Sequence, residues 1–476
     1  MPLVPGSPEQ DVTPVASARS RLSFGFLHLP RNVYILLCFT LGKGFQLSIA
    51  TLTVNYYAHS LGYRQDFIGV LSAMPAIGSL AAAVPVGFLA DRLGRKVILI
   101  GTAILTPLFL AGIGLGTSAP WLLICAFMQG IVSTAYWVTN LPLLTESTSE
   151  RQRVGVFALN SFLLIGVGAL GGLLGGAIPE FVGHVLHVAA GSTVPLRWGV
   201  LVAASSTFVF GLPLWFLHEP KRERPAENEQ VEATFSTPLI APIDSASPQN
   251  AILIAPVENA EKPAQAAALK ERLPVMLFAK LLITDLLFTM GEGAVVALIQ
   301  IYFVLRFHLS PGTLGIIFSI SGLAGGIFSL TAPLFVHRWS KLRIITTVMY
   351  LSCPLMILVG FAPTLLLAVG GEYTRSFMRT LIEPVYAAFQ MEQVTDRYRA
   401  TLSGFYSVTW SIGFSIGPAA AGWLQTNVNL STAFVFGACC LAISASMLLF
   451  FFGRGLPGRG QARPLPYTKH DASRTG

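Results

Sequence analysis

The chain has 476 residues, 53% of them hydrophobic and only 11% charged, with a mean hydropathy of +0.64. Soluble domains are about a quarter charged, so this chain has too few charges to cover a water-facing surface, and the ordinary soluble class is excluded. A net charge of +8 on a soluble protein would suggest nucleic acid. Here the basic residues sit between apolar runs and in the tails, as in the cytoplasmic loops of a membrane protein, and no nucleic-acid partner is expected.

The chain opens on a polar segment, 1–28, read as a cytoplasmic tail. Apolar runs follow near 33–57, 67–90, 97–115, 120–142, 154–177 and 198–217. A Pro-, Glu-, Ala- and Ser-rich stretch at 218–272 breaks the pattern and reads as a mostly disordered cytoplasmic linker. Six more runs lie near 274–305, 312–335, 343–361, 364–390, 401–423 and 431–452, and a basic tail covers 454–476. Each run can cross a hydrocarbon core of about 30 Å at roughly 1.5 Å per residue. Lipid tolerates no unpaired backbone groups, so the runs must be helices. The expected fold is an all-α membrane protein of twelve transmembrane helices, in halves 29–217 and 273–453.

Loop charges orient it. Arg92, Arg95, Lys96, Arg151, Arg153, Arg338, Lys341, Arg343, Arg397 and Arg399 crowd the loops after runs 2, 4, 8 and 10. The alternate loops offer Arg64, Arg197 and Arg306. The positive-inside rule then places both termini and the linker in the cytoplasm, in a multi-pass plasma-membrane protein. The first run is too long for a signal-peptide core and reads as a retained helix. The five cysteines all lie within apolar runs, with neither a disulfide framework nor metal-ligand spacing. No metal and no cofactor are expected.

The halves repeat. A shift of 246 residues places Glu146 on Glu392, Arg92 on Arg338, Arg95 on Lys341, Gly171 on Gly417 and Gly176 on Gly422. At a shift of 249, Phe39-Thr40-Leu41-Gly42-Lys43-Gly44 falls on Phe288-Thr289-Met290-Gly291-Glu292-Gly293. Two six-helix units in the same orientation imply a pseudo-twofold axis along the membrane normal, with a site between them.

Between runs 2 and 3 stands Gly87-Phe88-Leu89-Ala90-Asp91-Arg92-Leu93-Gly94-Arg95-Lys96. This resembles the signature loop of the major facilitator superfamily, glycine-x-x-x-aspartate-basic-x-glycine-basic-basic, and the likeness covers roughly residues 29–453. The resemblance implies a conformational latch of Gly87, Asp91, Arg92, Gly94, Arg95 and Lys96. The glycines would permit close packing and a tight turn, and Asp91 would meet a helix N-terminus and a basic partner. Positive-inside topology alone would also account for the three basic residues. The second copy is degraded, with His337 where Asp91 stands. Run 5 carries Gly166, Gly168, Gly171, Gly172, Gly175 and Gly176. It partly resembles the family's antiporter motif, but Gly172 replaces the proline, and tight packing explains the glycines equally well. Gln129-Gly130 matches part of another motif, although Ala126 stands where related proton-coupled exporters carry arginine.

Ionisable groups inside spans are costly and are usually functional or paired. Glu372, Arg375, Arg379 and Glu383 lie three, four and four residues apart, on one face of run 10. By the repeat, Gln129, Ser133 and Trp137 form the matching stripe in run 4, extended by Asn140. Run 7 adds Asp285, Glu292 and Gln300, and run 1 adds Lys43, Gln46 and Asn55. The resemblance implies that these four helices line the central cavity. Candidates for substrate or proton binding are therefore Lys43, Gln46, Asn55, Gln129, Trp137, Asn140, Glu292, Gln300, Glu372, Arg375, Arg379 and Glu383. Structural salt bridges among the charged members are the competing reading, and Asp285 reads as structural or gating. Trp137, Tyr56 and Phe377 could contact substrate, with packing the simpler reading of each.

The function these residues imply is a secondary active transporter that moves a small organic solute by alternating access. Proton-coupled efflux leads; a symporter or facilitator for a polar metabolite stays open, as does a sensor that no longer transports. No nucleotide loop, metal spacing or nucleophile–base pair suggests an enzyme. The expected partners are the solute, protons and the lipid bilayer. A monomer is the default, since the cavity lies within one chain.

Overall fold

The computed structural model describes residues 29–218, 275–329 and 340–453. The two tails, the linker beyond His218, His337 and Arg338 lie outside the described residues. The first half comprises α1 (Arg31–Ser60), α2 (Gln65–Leu93), α3 (Arg95–Leu115) and α4 (Ala119–Glu146). Its fifth span joins α5 (Glu150–Ser161), a π-helical turn (Phe162–Val167) and α6 (Leu170–Leu186). The sixth is α7 (Thr193–Gly211), ending in a 3-10 turn. The second half runs through α8 (Val275–Val296) with α9 (Ile299–Phe307), α10 (Pro311–Ser329), α11 (Lys341–Phe361), α12 (Leu365–Glu392), α13 (Asp396–Asn427) and α14 (Thr432–Phe452). The described helices therefore make twelve spans.

Among the described residues, nine segments are long and apolar enough to cross a membrane on those grounds alone. The other three spans are α10, α12 and α13. The charges of α12 explain its place among them: Glu372, Arg375, Arg379 and Glu383 all fall within one helix. Leu108, Ile124, Phe181, Leu366 and Phe450 point outward, all largely exposed. In a bilayer, lipid tails solvate those side chains. Pro75, Pro85, Pro107, Pro142, Pro179, Pro354 and Pro418 sit inside helices, which neighbouring helices tolerate in a membrane bundle.

The halves meet through α2 against α13 and α6 against α10. Both seams are glycine-lined because backbone meets backbone. A Cβ on Gly69 would stand 2.4 Å from the Pro418 carbonyl oxygen, and one on Gly422 would stand 2.3 Å from that of Gln65. Across the second seam, a Cβ on Gly176 would stand 2.4 Å from the Pro311 oxygen. Three hydrogen bonds join the halves in the same region. Asn55 Nδ2 donates to the Ala297 carbonyl at 2.8 Å, the Asp66 amide to Thr426 Oγ1 at 2.8 Å, and the Gly312 amide to Glu180 Oε1 at 3.2 Å.

These contacts gather toward the face bearing the short loops before α2, α7, α10 and α14. Toward the opposite face lies the C-terminal end of α2. Val84, Phe88, Leu89 and Leu93 of α2 are exposed, and a Cβ on Gly87 would meet nothing within 4 Å. Among the described residues, the close packing expected at Gly87 is therefore absent in this conformation. Gly94 does turn tightly, at φ 88°, a backbone conformation that favours glycine.

Candidate functional site

Spacings of three and four along α12 put its charges on one face, as the helix period requires. Arg375 is the hub. Its Nε and Nη2 each donate to Glu372 at 2.8 Å, and its Nη1 donates to Glu292 of α8 at 3.0 Å. Arg379 Nε lies 3.6 Å from the same Glu292 oxygen, and its Nη2 donates to Glu383 at 3.1 Å. Arg375, Glu292 and Glu372 are buried, whereas the Glu383 side chain is 57% exposed. The network thus runs from a dry centre to an open edge. It holds three carboxylates against two guanidinium groups, so it carries one formal negative charge in excess. Charge-assisted, forked hydrogen bonds offset much of the desolvation cost of burying these ions.

The first half places Lys43 in the matching region of α1. Its Nζ donates to Gln46 Oε1 at 2.8 Å and lies 5.5 Å from the centre of the Tyr136 ring. Among the described residues Lys43 has no ion-pair partner. The Tyr136 hydroxyl donates to Thr40 Oγ1 at 3.2 Å, and Thr40 in turn donates to Asn160 Oδ1 at 2.8 Å. Asn140 Nδ2 donates to the Tyr136 hydroxyl at 3.2 Å. Asn140 thus belongs to a neutral cluster between α1, α4 and α5. Trp137 is half-exposed and stacks edge-on against Tyr136 at 5.2 Å. Gln129 is buried with neither amide atom partnered, an energetic cost that a polar ligand would relieve.

Asn55 and Gln300 flank the break between α8 and α9. The Asn55 amide satisfies the Ala297 carbonyl freed at that break, and its Oδ1 accepts from Ser72 at 3.1 Å. Gln300 is buried just beyond. Asn55 therefore links the halves at their closed face.

The loop residues form a separate group at the face opposite the glycine seams. Arg95 pairs with Glu146, and Lys341 pairs with Glu392. These are the same contact at the repeat's shift of 246, one in each half. Arg92 lies 5.1 Å from the centre of the Phe88 ring, and Lys96 Nζ donates to the Trp215 carbonyl at 3.3 Å. The Asp91 side chain lies outside the described residues. A pocket of about 650 Å³ between α4 and α5 is lined by Arg95, Pro142, Glu146, Phe157 and Ser161, among others.

Sequence reasoning did not single out Tyr136, Thr40, Asn160, Gln390 or Thr409. Each is a neutral polar residue within an apolar run, and Asn160 and Gln390 were the strongest available signals.

The comparisons agree with this architecture. A family model described as the Major Facilitator Superfamily matches residues 35–374 and 281–473, with starts separated by the repeat's own shift. Among curated relatives, human "Solute carrier family 22 member 2" is 27% identical over 33% of this chain and 26% of its own length. The Lactococcus lactis "Multi-drug resistance efflux pump PmrA homolog" is 28% identical over 40% of this chain and 45% of its own length. The Pseudomonas putida "4-hydroxybenzoate transporter PcaK" is 29% identical over 34% of this chain and 37% of its own length. The chain therefore spans about a quarter to a half of these relatives.

Among solved structures, a bacterial homologue of the human lysosomal transporter Spinster, inward-facing and occupied, superposes with a TM-score of 0.69 at 14% identity. That match covers 89% of this chain and 96% of the other. The inward-open xylose transporter XylE from E. coli gives 0.63 at 15% identity, over 88% and 96% of the two chains. With its family model matched along most of its length and its twelve-span fold shared, the chain belongs to the major facilitator superfamily.

Proposed function

We propose that this protein is a secondary transporter that moves a small organic solute by alternating access between its two halves. The observation that carries this reading is the asymmetry of the interface. Glycine seams and three hydrogen bonds close one face, whereas toward the other face Gly87 has open space around it among the described residues, and we read that face as open above the buried charged network. A charged network is expensive to bury and usually marks a solute or ion path. Positive-inside loops put the open face, both termini and the 218–272 linker in the cytoplasm, so this is the inward-open state of a plasma-membrane protein. The relatives' names include both an efflux pump and a transporter of 4-hydroxybenzoate. We assign efflux of organic solutes, driven by proton exchange, as the primary direction.

The solute site is formed by Lys43, Gln46 and Gln129 of the 29–217 half and by Glu292, Glu372, Arg375, Arg379 and Glu383 of the 273–453 half. The negative excess of the second group favours solutes with a cationic or hydrogen-bond-donating part. Lys43 and Gln129 would hold a polar acceptor at the other end. Asn55, Asn140, Gln300 and Trp137 shape the surrounding walls. Each chain acts as a monomer, because one chain encloses the path.

The test is flux into and out of vesicles of purified protein loaded with a pH-sensitive dye. Cationic drugs, aromatic acids, sugars and amino acids would be screened. Solute-dependent proton movement is the expected result. Solute flux without proton movement would leave a facilitator. Saturable solute binding without any flux would leave a sensor.

A further inference from the structure

The charged network is held together by its own ion pairs, so its carboxylates already have counter-charges. Asp285 differs. It lies on α8 two turns before Glu292, about 10 Å along the helix axis, and it is 7% exposed. Its Oδ1 accepts from Gln390 Nε2 of α12 at 3.0 Å, and its Oδ2 accepts from Thr409 Oγ1 of α13 at 2.6 Å. Both donors are neutral, and among the described residues no lysine, arginine or histidine pairs with it.

The titratable groups that face Asp285 are Tyr386 of α12 and Tyr406 of α13, both close enough to feel its charge. The Tyr406 hydroxyl oxygen is buried without a hydrogen-bond partner, and the buried Tyr386 hydroxyl lies beside Thr284 and Gln390. The remaining neighbour, α14, presents Ser444, which donates to the Thr284 carbonyl at 2.7 Å.

The repeat sharpens the contrast. Tyr386 and Tyr406 occupy the positions of Asn140 and Asn160 in the first half, at the shift of 246. Each half thus buries a polar cluster between its first, fourth and fifth helices. The first-half cluster of Thr40, Tyr136, Asn140 and Asn160 is made of hydroxyls and amides. The second-half cluster is built around a carboxylate.

We propose that Asp285 is a proton-binding site of this protein, separate from the solute site and wired to α12 and α13. The proposal rests on the transporter reading for its purpose, but its chemistry stands alone. Hydronium gives a proton to one carboxylate oxygen and leaves water, so one O–H bond forms as one breaks, and the group passes from −1 to neutral. The neutral acid then has an O–H that can donate a hydrogen bond, and the buried hydroxyls of Tyr386 and Tyr406 on the facing helices are the nearby oxygens that could accept it. Thr409 and Gln390 sit on α13 and α12, so loading the proton rearranges the bonds that tie α8 to both. In exchange, solute and proton would occupy different sites and communicate through α12, which carries both Arg375 and Gln390.

The experiment is pH-difference infrared spectroscopy of the full-length protein in lipid, with no solute added. A buried carboxylic-acid carbonyl band should grow as pH falls in the parent. It should be lost in Asp285→Asn and kept in Glu372→Gln and Glu383→Gln. Tyr386→Phe keeps the carboxylate and should shift the band's frequency, which covers the case in which Asp285→Asn does not fold. A band that survives in Asp285→Asn, or that is absent from the parent at every pH, overturns the proposal. So does a parent whose melting responds to sodium chloride but not choline chloride at fixed pH, with no acid band, because the site would then hold a metal cation. The spectra need no transport. A band that depends on Asp285 in a protein without solute flux would sink the transporter reading and leave the proton site standing.

Discussion

Arg375 Nη1 lies 3.0 Å from Glu292 Oε2, and this contact ties the tenth span to the seventh. The same guanidinium holds Glu372 of its own helix through two bonds of 2.8 Å. One buried cation therefore pairs with carboxylates on two helices. Taking it away leaves Glu372 uncompensated and Glu292 with only the longer Arg379 contact.

Replacing Arg375 with methionine should destabilise the protein by about 3–5 kcal/mol, the usual cost of stranding a buried charge. The triple change Arg375→Met, Glu292→Gln and Glu372→Gln should recover most of that loss. Thermal unfolding of the purified variants in detergent checks both. A single variant as stable as the parent would show that the network is hydrated.

Lys43 is expected to behave in the opposite way. It carries a buried charge with an amide and an aromatic ring as its partners, so Lys43→Met removes a desolvation cost and strands no opposite charge. Stability should be unchanged or higher. Solute affinity should fall at least tenfold if Lys43 holds the solute, which equilibrium binding would measure. Weaker folding with intact binding would make Lys43 structural.

At the closed face, Gly69→Val places a Cβ about where the Pro418 carbonyl already stands, at 2.4 Å. Overpacking of this kind costs roughly 1–3 kcal/mol, and about 1.4 kcal/mol shifts an equilibrium tenfold. The two halves should separate there. Spin labels at Arg64 and Asn427 should report longer distances than in the parent, and an unchanged distribution would contradict the seam.

Asn55→Ala should have a smaller effect in the same direction. It removes one hydrogen bond between the halves, worth about 1 kcal/mol, and leaves the Ala297 carbonyl unsatisfied. The closed-face population should drop severalfold in the same label experiment, with little change in overall melting.

The Arg95–Glu146 and Lys341–Glu392 pairs are partly exposed, with Glu146 and Glu392 side chains at 38% and 55%. Exposed pairs contribute under about 1 kcal/mol. Arg95→Ala and Lys341→Ala should therefore melt close to the parent. A loss much larger than that in either variant would mean that the pair is shielded from water.

The sequence by itself determined the class, the number of spans and the repeat. Those features follow from run length, charge spacing and periodicity, which are local along the chain. Membrane burial makes them legible, since a span must be apolar for about 20 residues, and the four charges of α12 stand out against that background. The face they share also follows from the helical period. What the sequence left open was which charges meet. Glu292 joins Arg375 across 83 residues, and Asp285 joins Thr409 across 124. Pairing depends on the packing of α8 against α12 and α13, and no local spacing encodes it. The same holds for Gly87 and for the glycine seams. Whether a glycine is pressed by a neighbour or left in the open depends on which face of the two halves is closed, and one sequence serves every state of that cycle. The tertiary structure decided that question, because closure is a property of the contact between halves and not of either half alone.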